Sequence, residues 1–103
     1  MVHDTIMPRA HLLFRSKLQY PDGCVREMTI WRLPLPTPER PHRLKYSLYY
    51  GDPDGQCVVR YDNEAGKGDH RHLGDGEFPY TFVDVETLVA DFQRDVDQAR
   101  RER

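Results

Sequence analysis

The segment from Asp62 to His72 concentrates side chains that can carry a proton or bind an ion. If this stretch is extended, His70 and His72 point to one side of the chain and Arg71 to the other. An imidazole can give or take a proton near neutral pH, and a cation can stabilise charge that develops on a phosphate. The set predicts metal-free RNA cleavage, with His70 and His72 as acid and base and with Arg71 or Lys67 on the phosphate.

The same segment allows two other interpretations. The two imidazoles, together with Asp62 or Asp69, form a mixed nitrogen and oxygen ligand set for a metal ion, although their spacing matches no strong metal signature. Alternatively, the segment is a solvated surface loop whose Asp and Asn side chains make local turns. In the catalytic interpretation Asp62 and Asn63 position the loop, and no cofactor is expected.

Within residues 10–62, the segments 10–20, 43–50 and 56–61 alternate between apolar and polar side chains, which is the pattern of strands that bury one face. A further strand is predicted over 25–33, where Trp31 is one of the apolar residues and the two faces are not cleanly separated. Turn signals at 21–23 and 51–55 separate neighbouring strands. In the first of these strands the alternation assigns Leu12 and Phe14 to the same, buried face. The region is therefore expected to fold as antiparallel strands.

The remaining segments frame this sheet. Residues 1–8 are expected to form a loose arm, 63–78 a loop rich in His, Asp and Gly, and 79–82 a short edge strand. A helix is predicted over 84–100, where Asp84 is a suitable N-cap. One apolar stripe recurs along this helix at helical spacing, formed by Val85, Leu88, Val89, Phe92 and Val96.

Together these elements predict one α+β domain spanning residues 1–103. Its sheet is expected to be an antiparallel meander of about four to six strands, packed on the single C-terminal helix. No long apolar run is present, so neither a signal peptide nor a membrane span is expected.

The predicted sheet has a basic face opposite its apolar positions. Five cations fall there by strand parity: Arg15, Lys17, Arg43, Lys45 and Arg60. Cations of this kind release counterions from nucleic acid, and Tyr49 on the same face can stack on a base. The formal net charge of −2 excludes a protein that wraps nucleic acid along its whole length. Local RNA binding is one interpretation of this face, and an ordinary solvated surface is the other.

Three short motifs resemble the TumE-type family of small bacterial toxins. They are the Tyr61-Asp62-Asn63-Glu64-Ala65-Gly66 stretch, the Asp69-His70-Arg71-His72 element and the Pro79-Tyr80-Thr81-Phe82 element. Asp69 stands where many members carry the first of two adjacent His residues. The resemblance implies a cytoplasmic toxin with a cognate helix-turn-helix antitoxin as its partner. By analogy with other small toxins, the expected target is RNA or translation, and a homodimer is left open.

A non-catalytic function is the competing hypothesis. Aromatic side chains are enriched at binding hot spots, and one predicted hairpin carries Tyr46, Tyr49, Tyr50 and Tyr61. Such a domain would block a partner, or be neutralised by one, through the edge of the sheet or through this hairpin.

Overall fold

The sheet is a six-stranded antiparallel meander in which every strand pairs with the next along the chain. The structure is a computed structural model and describes residues 9–64 and 66–103. Its elements follow in the order β1 (His11–Gln19), β2 (Val25–Arg32), β3 (Leu44–Gly51), β4 (Cys57–Asp62), β5 (His70–Leu73), β6 (Gly76–Pro79) and α1 (Val85–Arg101). The α+β fold class is confirmed. The arm predicted for 1–8 lies outside the described residues.

Helix α1 covers one face of the sheet. Its Leu88, Phe92 and Val96 are fully buried against the core residues of β2, β3 and β4. Burying a side chain of this size stabilises the fold by about 1.5–3 kcal/mol. The helix begins where predicted, because the Asp84 carboxylate accepts a hydrogen bond of 2.7 Å from the Thr87 amide. In the described residues no helix covers the other face of the sheet, and we call it the open face.

The predicted loop over 63–78 is too long, because it contains β5 and β6. The edge strand is Gly76–Pro79, and the predicted strand over 79–82 is wrong beyond Pro79. β5 was missed since its sequence, His-Arg-His-Leu, has only one aliphatic side chain. Its pairing with β4 makes it a strand despite that composition.

β1 departs from its simple alternation. A register shift lies between Leu12 and Phe14, so Leu12 pairs with Trp31 while Phe14 pairs with Ile30. Because Ile30 is a core residue and Trp31 is its neighbour along the strand, Leu12 and Phe14 lie on opposite faces. The prediction that the two share one face is wrong.

Candidate active site on the open face

Four charged or titratable side chains meet where β4 pairs with β5. Asp62 is opposite His70 and Arg60 is opposite His72 in the strand register. The core residues Val59 and Tyr61 alternate with Arg60 and Asp62, so these four residues lie on the open face. We call Arg60, Asp62, His70 and His72 the open-face cluster. Strand pairing alone positions it, since directly opposite side chains lie about 5 Å apart.

His70 is held between two oxygen acceptors. Its Nδ1 lies 3.0 Å from the carbonyl oxygen of Gly68, which can only accept, so Nδ1 carries a proton. Its Nε2 lies 2.5 Å from Oδ1 of Asp62, out of line for a regular hydrogen bond. His70 is therefore enclosed between a backbone carbonyl and a carboxylate, and its side chain is only 7% exposed.

Arg60 connects Asp62 to His72. Its Nε lies 3.2 Å from Oδ2 of Asp62, and its Nη2 donates to Nε2 of His72 over 3.1 Å. Because a guanidinium only donates, Nε2 of His72 is the acceptor in this contact. Glu77 lies farther from this nitrogen, at 3.6 Å, beyond hydrogen-bond distance.

The two imidazoles thus differ in their contacts. Oxygen acceptors surround His70, which suits a proton donor, and Arg60 donates to His72, which suits a proton acceptor. Their ring centroids are 5.1 Å apart, and Arg60 is the most exposed member of the cluster, at 40% of its side chain. A group that binds at Arg60 would therefore have a proton acceptor and a proton donor within reach.

The cluster also offers a metal-ligand set. One ligand atom each from Asp62, His70 and His72 lie within 4.8 Å of one another. Two imidazole nitrogens and a carboxylate oxygen suit a divalent transition metal. The guanidinium of Arg60, however, already contacts both Asp62 and His72. It supplies positive charge at the place where a cation would bind.

Arg71 lies on the face covered by α1 and not in the cluster. Its Nη1 contacts Oη of Tyr61 and Oδ2 of Asp95, each at 3.2 Å, and the Tyr61 hydroxyl donates to the same carboxylate. Burial, followed by the hydrogen bond to Asp95, raises the pKa of Tyr61 to about 12. The predicted phosphate-binding role does not fit Arg71, because side chains alternate along β5 and its charge is neutralised by Asp95.

Arg43 also departs from its predicted place. It precedes β3 with a positive φ of 65°, and its guanidinium donates to the carbonyl oxygens of Leu33 and Pro34. The prediction that Arg43 shares the open face with the other cations is wrong, because the strand begins one residue later. Lys45 does lie on the open face and is exposed, as does the half-buried Tyr49 opposite Arg60.

Asn63 positions the chain after β4. It is fully buried, its Oδ1 accepts from the Tyr46 amide at 3.0 Å, and its Nδ2 donates to the Leu44 carbonyl at 2.7 Å. Both ends of its amide are therefore used within the protein, so direct substrate binding does not fit. Lys67 is exposed in the loop that follows.

Asp69 is paired outside the cluster. Its Oδ2 lies 3.1 Å from Nε2 of His42, and Nδ1 of the same ring accepts from the Leu44 amide. The His42 side chain is only 15% exposed and packs on Phe82. The Asp69 carboxylate is thus paired with His42 and does not complete a metal-ligand set with His70 and His72.

A pocket beside the open-face cluster was not predicted from the sequence. Trp31 lines it on the open face, together with Ser47 and Glu64, and Asp62 belongs to both the pocket and the cluster. The sequence predicts Trp31 to be an apolar residue of the second strand but does not assign it to a face of the sheet. Its parity with respect to Met28 and Ile30, which are core residues, is the signal that would have placed it on the open face.

The Tyr-rich hairpin is mainly part of the core. Tyr46, Tyr50 and Tyr61 are at most 2% exposed, which leaves Tyr49 as the hairpin's partly exposed tyrosine. The structure therefore lends no support to a binding surface made of all four rings.

The chain matches a known protein family. A protein-family model described as "Toxin TumE" matches residues 3–100. No curated protein and no solved structure matches the chain. Among the described residues, no helix is long and apolar enough to cross a membrane.

Proposed function

The chain belongs to the TumE toxin family, and on that premise we propose that it acts as a toxin by cleaving RNA at the open-face cluster without a metal ion. A toxin of this kind has an antitoxin partner. The finer assignments made from the family resemblance, a helix-turn-helix antitoxin and a cytoplasmic location, belong to this proposal as well.

The different contacts of the two imidazoles are the observation that carries the proposal: oxygen acceptors surround His70, and the Arg60 guanidinium donates to His72. Nε2 of His72 takes the proton of a ribose 2′-hydroxyl, and the 2′-oxygen then attacks the adjacent phosphorus. The bond from phosphorus to the 5′-oxygen breaks, and the leaving oxygen receives the proton held by His70. The products are a 2′,3′-cyclic phosphate and a free 5′-hydroxyl, so protons and electron pairs balance.

Arg60 and Asp62 have supporting parts in this scheme. The phosphate displaces His72 from the Arg60 guanidinium, which frees the base at the moment when the substrate binds. Guanidinium groups bind phosphate oxygens in a bidentate manner and stabilise charge that develops on them. Asp62 contacts Nε2 of the nearly buried His70 and holds its ring in place.

The test is cleavage of a defined RNA by purified protein under single-turnover conditions with a chelator present. We expect His72→Ala to slow cleavage by about 10²–10⁴-fold, the usual contribution of a positioned acid or base. His11→Gln is the matched control, because His11 is an exposed imidazole on β1. The product ends should be a 2′,3′-cyclic phosphate and a 5′-hydroxyl.

Expression in cells gives an independent readout. The wild-type chain without its antitoxin should arrest growth, and His72→Ala should relieve the arrest at equal protein level. Intact RNA after incubation with folded wild-type protein, or equal cleavage rates for wild type and His72→Ala, would exclude this proposal.

A further inference from the structure

The pocket beside the open-face cluster has the size of one aromatic ring. Its volume is about 140 Å³, and it opens to solvent on the open face. An apolar cavity of about 150 Å³ accommodates one benzene molecule, whereas drug-sized ligands occupy roughly 300–1,000 Å³. A six-membered ring therefore fills this space, and a fused two-ring system would project from it.

The lining of the pocket suits a planar, polar ring. Trp31 offers an indole, and nucleic-acid bases stack on aromatic side chains of this kind. Glu64 is exposed at the pocket and brings a carboxylate, which accepts hydrogen bonds from an exocyclic amine such as N4 of cytosine. Lys45 and Ser47 bring donors that suit the ring carbonyl.

The pocket is adjacent to the proposed chemistry. Ser47 pairs directly with Asp62, and Thr29 pairs with Ser47 on the far side. The spacing of neighbouring strands is about 4.8 Å, so the pocket extends from the cluster across two strand spacings. A base held there keeps its own ribose and phosphate next to Arg60 and His72.

We propose that this pocket, the Trp31 pocket, binds a pyrimidine base of the RNA, with cytosine preferred over uracil. The inference rests on the proposed RNA cleavage and specifies which base lies at the cleaved position. Cytosine is preferred because its amine faces the Glu64 carboxylate, where uracil would present a carbonyl oxygen.

Trp31 itself reports on binding, because it is the single tryptophan of the chain. The full chain is titrated with CMP, UMP, AMP, GMP and ribose 5-phosphate while tryptophan fluorescence is recorded, and free N-acetyltryptophanamide corrects for absorption by the nucleotides. We expect saturable quenching that is strongest with CMP, weaker with UMP and weaker still with the purine nucleotides. Ribose 5-phosphate should leave the fluorescence unchanged.

Three variants test whether the quenching arises from binding in the Trp31 pocket. Ser47→Tyr fills the pocket but keeps Trp31, so quenching should be lost while circular dichroism shows an intact fold. Trp31→Leu should weaken CMP binding, measured by calorimetry, by roughly 5- to 140-fold, the value of one base–aromatic stack. Phe78→Ala, which removes an exposed aromatic ring from the opposite face, should leave binding unchanged.

His72→Ala separates this proposal from the proposed function. It should stop cleavage and still show saturable quenching of Trp31 by CMP, because His72 does not line the pocket. Quenching by CMP in a protein that leaves RNA intact would support the pocket and exclude the cleavage. Absence of quenching by every nucleotide, equal quenching by purines and pyrimidines, or unchanged quenching in Ser47→Tyr would each overturn the inference.

Discussion

Arg60 determines what the open-face cluster can bind. It contacts the Asp62 carboxylate and the His72 ring at the same time, and its fork of donors suits a phosphate better than the point charge of a lysine would. Without this guanidinium, the same carboxylate and the two imidazoles would form an ordinary metal-binding triad. In the proposed function, this one residue favours acid–base chemistry over metal binding.

Arg60→Ala should convert the cluster into a zinc site. Removing the guanidinium takes away the competing positive charge and frees Nε2 of His72 and the Asp62 carboxylate as ligands. Calorimetry with zinc, manganese and nickel should show no binding to the wild type and clear zinc binding to Arg60→Ala. The double variant Arg60→Ala with His70→Ala is the control and should lose this binding. Tight zinc binding by the wild type would contradict the metal-free assignment.

The residues of the cluster were largely foreseen from sequence, while their connections were not. Alternation along an extended chain was enough to predict that His70 and His72 share a side. The contact with Asp62 and Arg60 depends on the register between β4 and β5, which no local pattern encodes. For the same reason Asp69, which is next to His70 in the chain, was grouped with the wrong imidazole.

At the level of elements, local sequence signals define α1, whereas pairing with neighbouring strands defines β5. The helix is evident locally, since an apolar stripe, an acidic N-cap and basic residues in the last turn all agree. β5 has no such signal, because one of its faces carries the two His of the cluster and the other carries the paired Arg71. It is a strand since β4 and β6 provide its hydrogen-bonding partners.

Asp84→Ala should destabilise the protein in a pH-dependent way. The hydrogen bond from the Thr87 amide lowers the pKa of Asp84. Because the folded-state pKa lies below the unfolded one, this contribution is present above the unfolded pKa and is lost as the pH falls through the folded pKa. Urea unfolding should show a less stable variant near neutral pH and a much smaller difference from wild type below about pH 3.

Asp84→Ser is the companion variant for this cap. A serine hydroxyl caps the helix at any pH, so Asp84→Ser should remain close to wild type at neutral pH. An Asp84→Ala variant as stable as wild type at neutral pH would mean that the cap does not hold the helix start.

Over the whole molecule, strand pairing collects separate cations on one surface. The open face presents Arg15, Lys17, Lys45 and Arg60, together with the acids Glu27, Asp62 and Glu77. The formal net charge of −2 does not show where these groups lie. Composition could exclude a uniformly basic protein, but only strand pairing and the position of the helix bring the cations onto one surface.

The salt dependence of RNA binding should report contacts between phosphates and the cations of the open face. Each phosphate neutralised on a single strand contributes about −0.7 to the slope of log K against log salt. Lys45→Glu, on the open face beside the Trp31 pocket, should weaken binding and reduce the magnitude of the slope by about 0.7–1. Fluorescence anisotropy of a labelled single-stranded RNA measures both quantities.

Two charge reversals serve as controls and locate the surface. Lys17 is at the edge of the sheet and already lies 3.6 Å from Glu27, so Lys17→Glu should change binding less than Lys45→Glu does. Arg94 is exposed on the helix, so Arg94→Glu should leave both the affinity and the slope unchanged, although it changes the net charge by the same amount. An equal loss in all three variants would mean that RNA responds to net charge alone. In that case the open face would not be the binding surface.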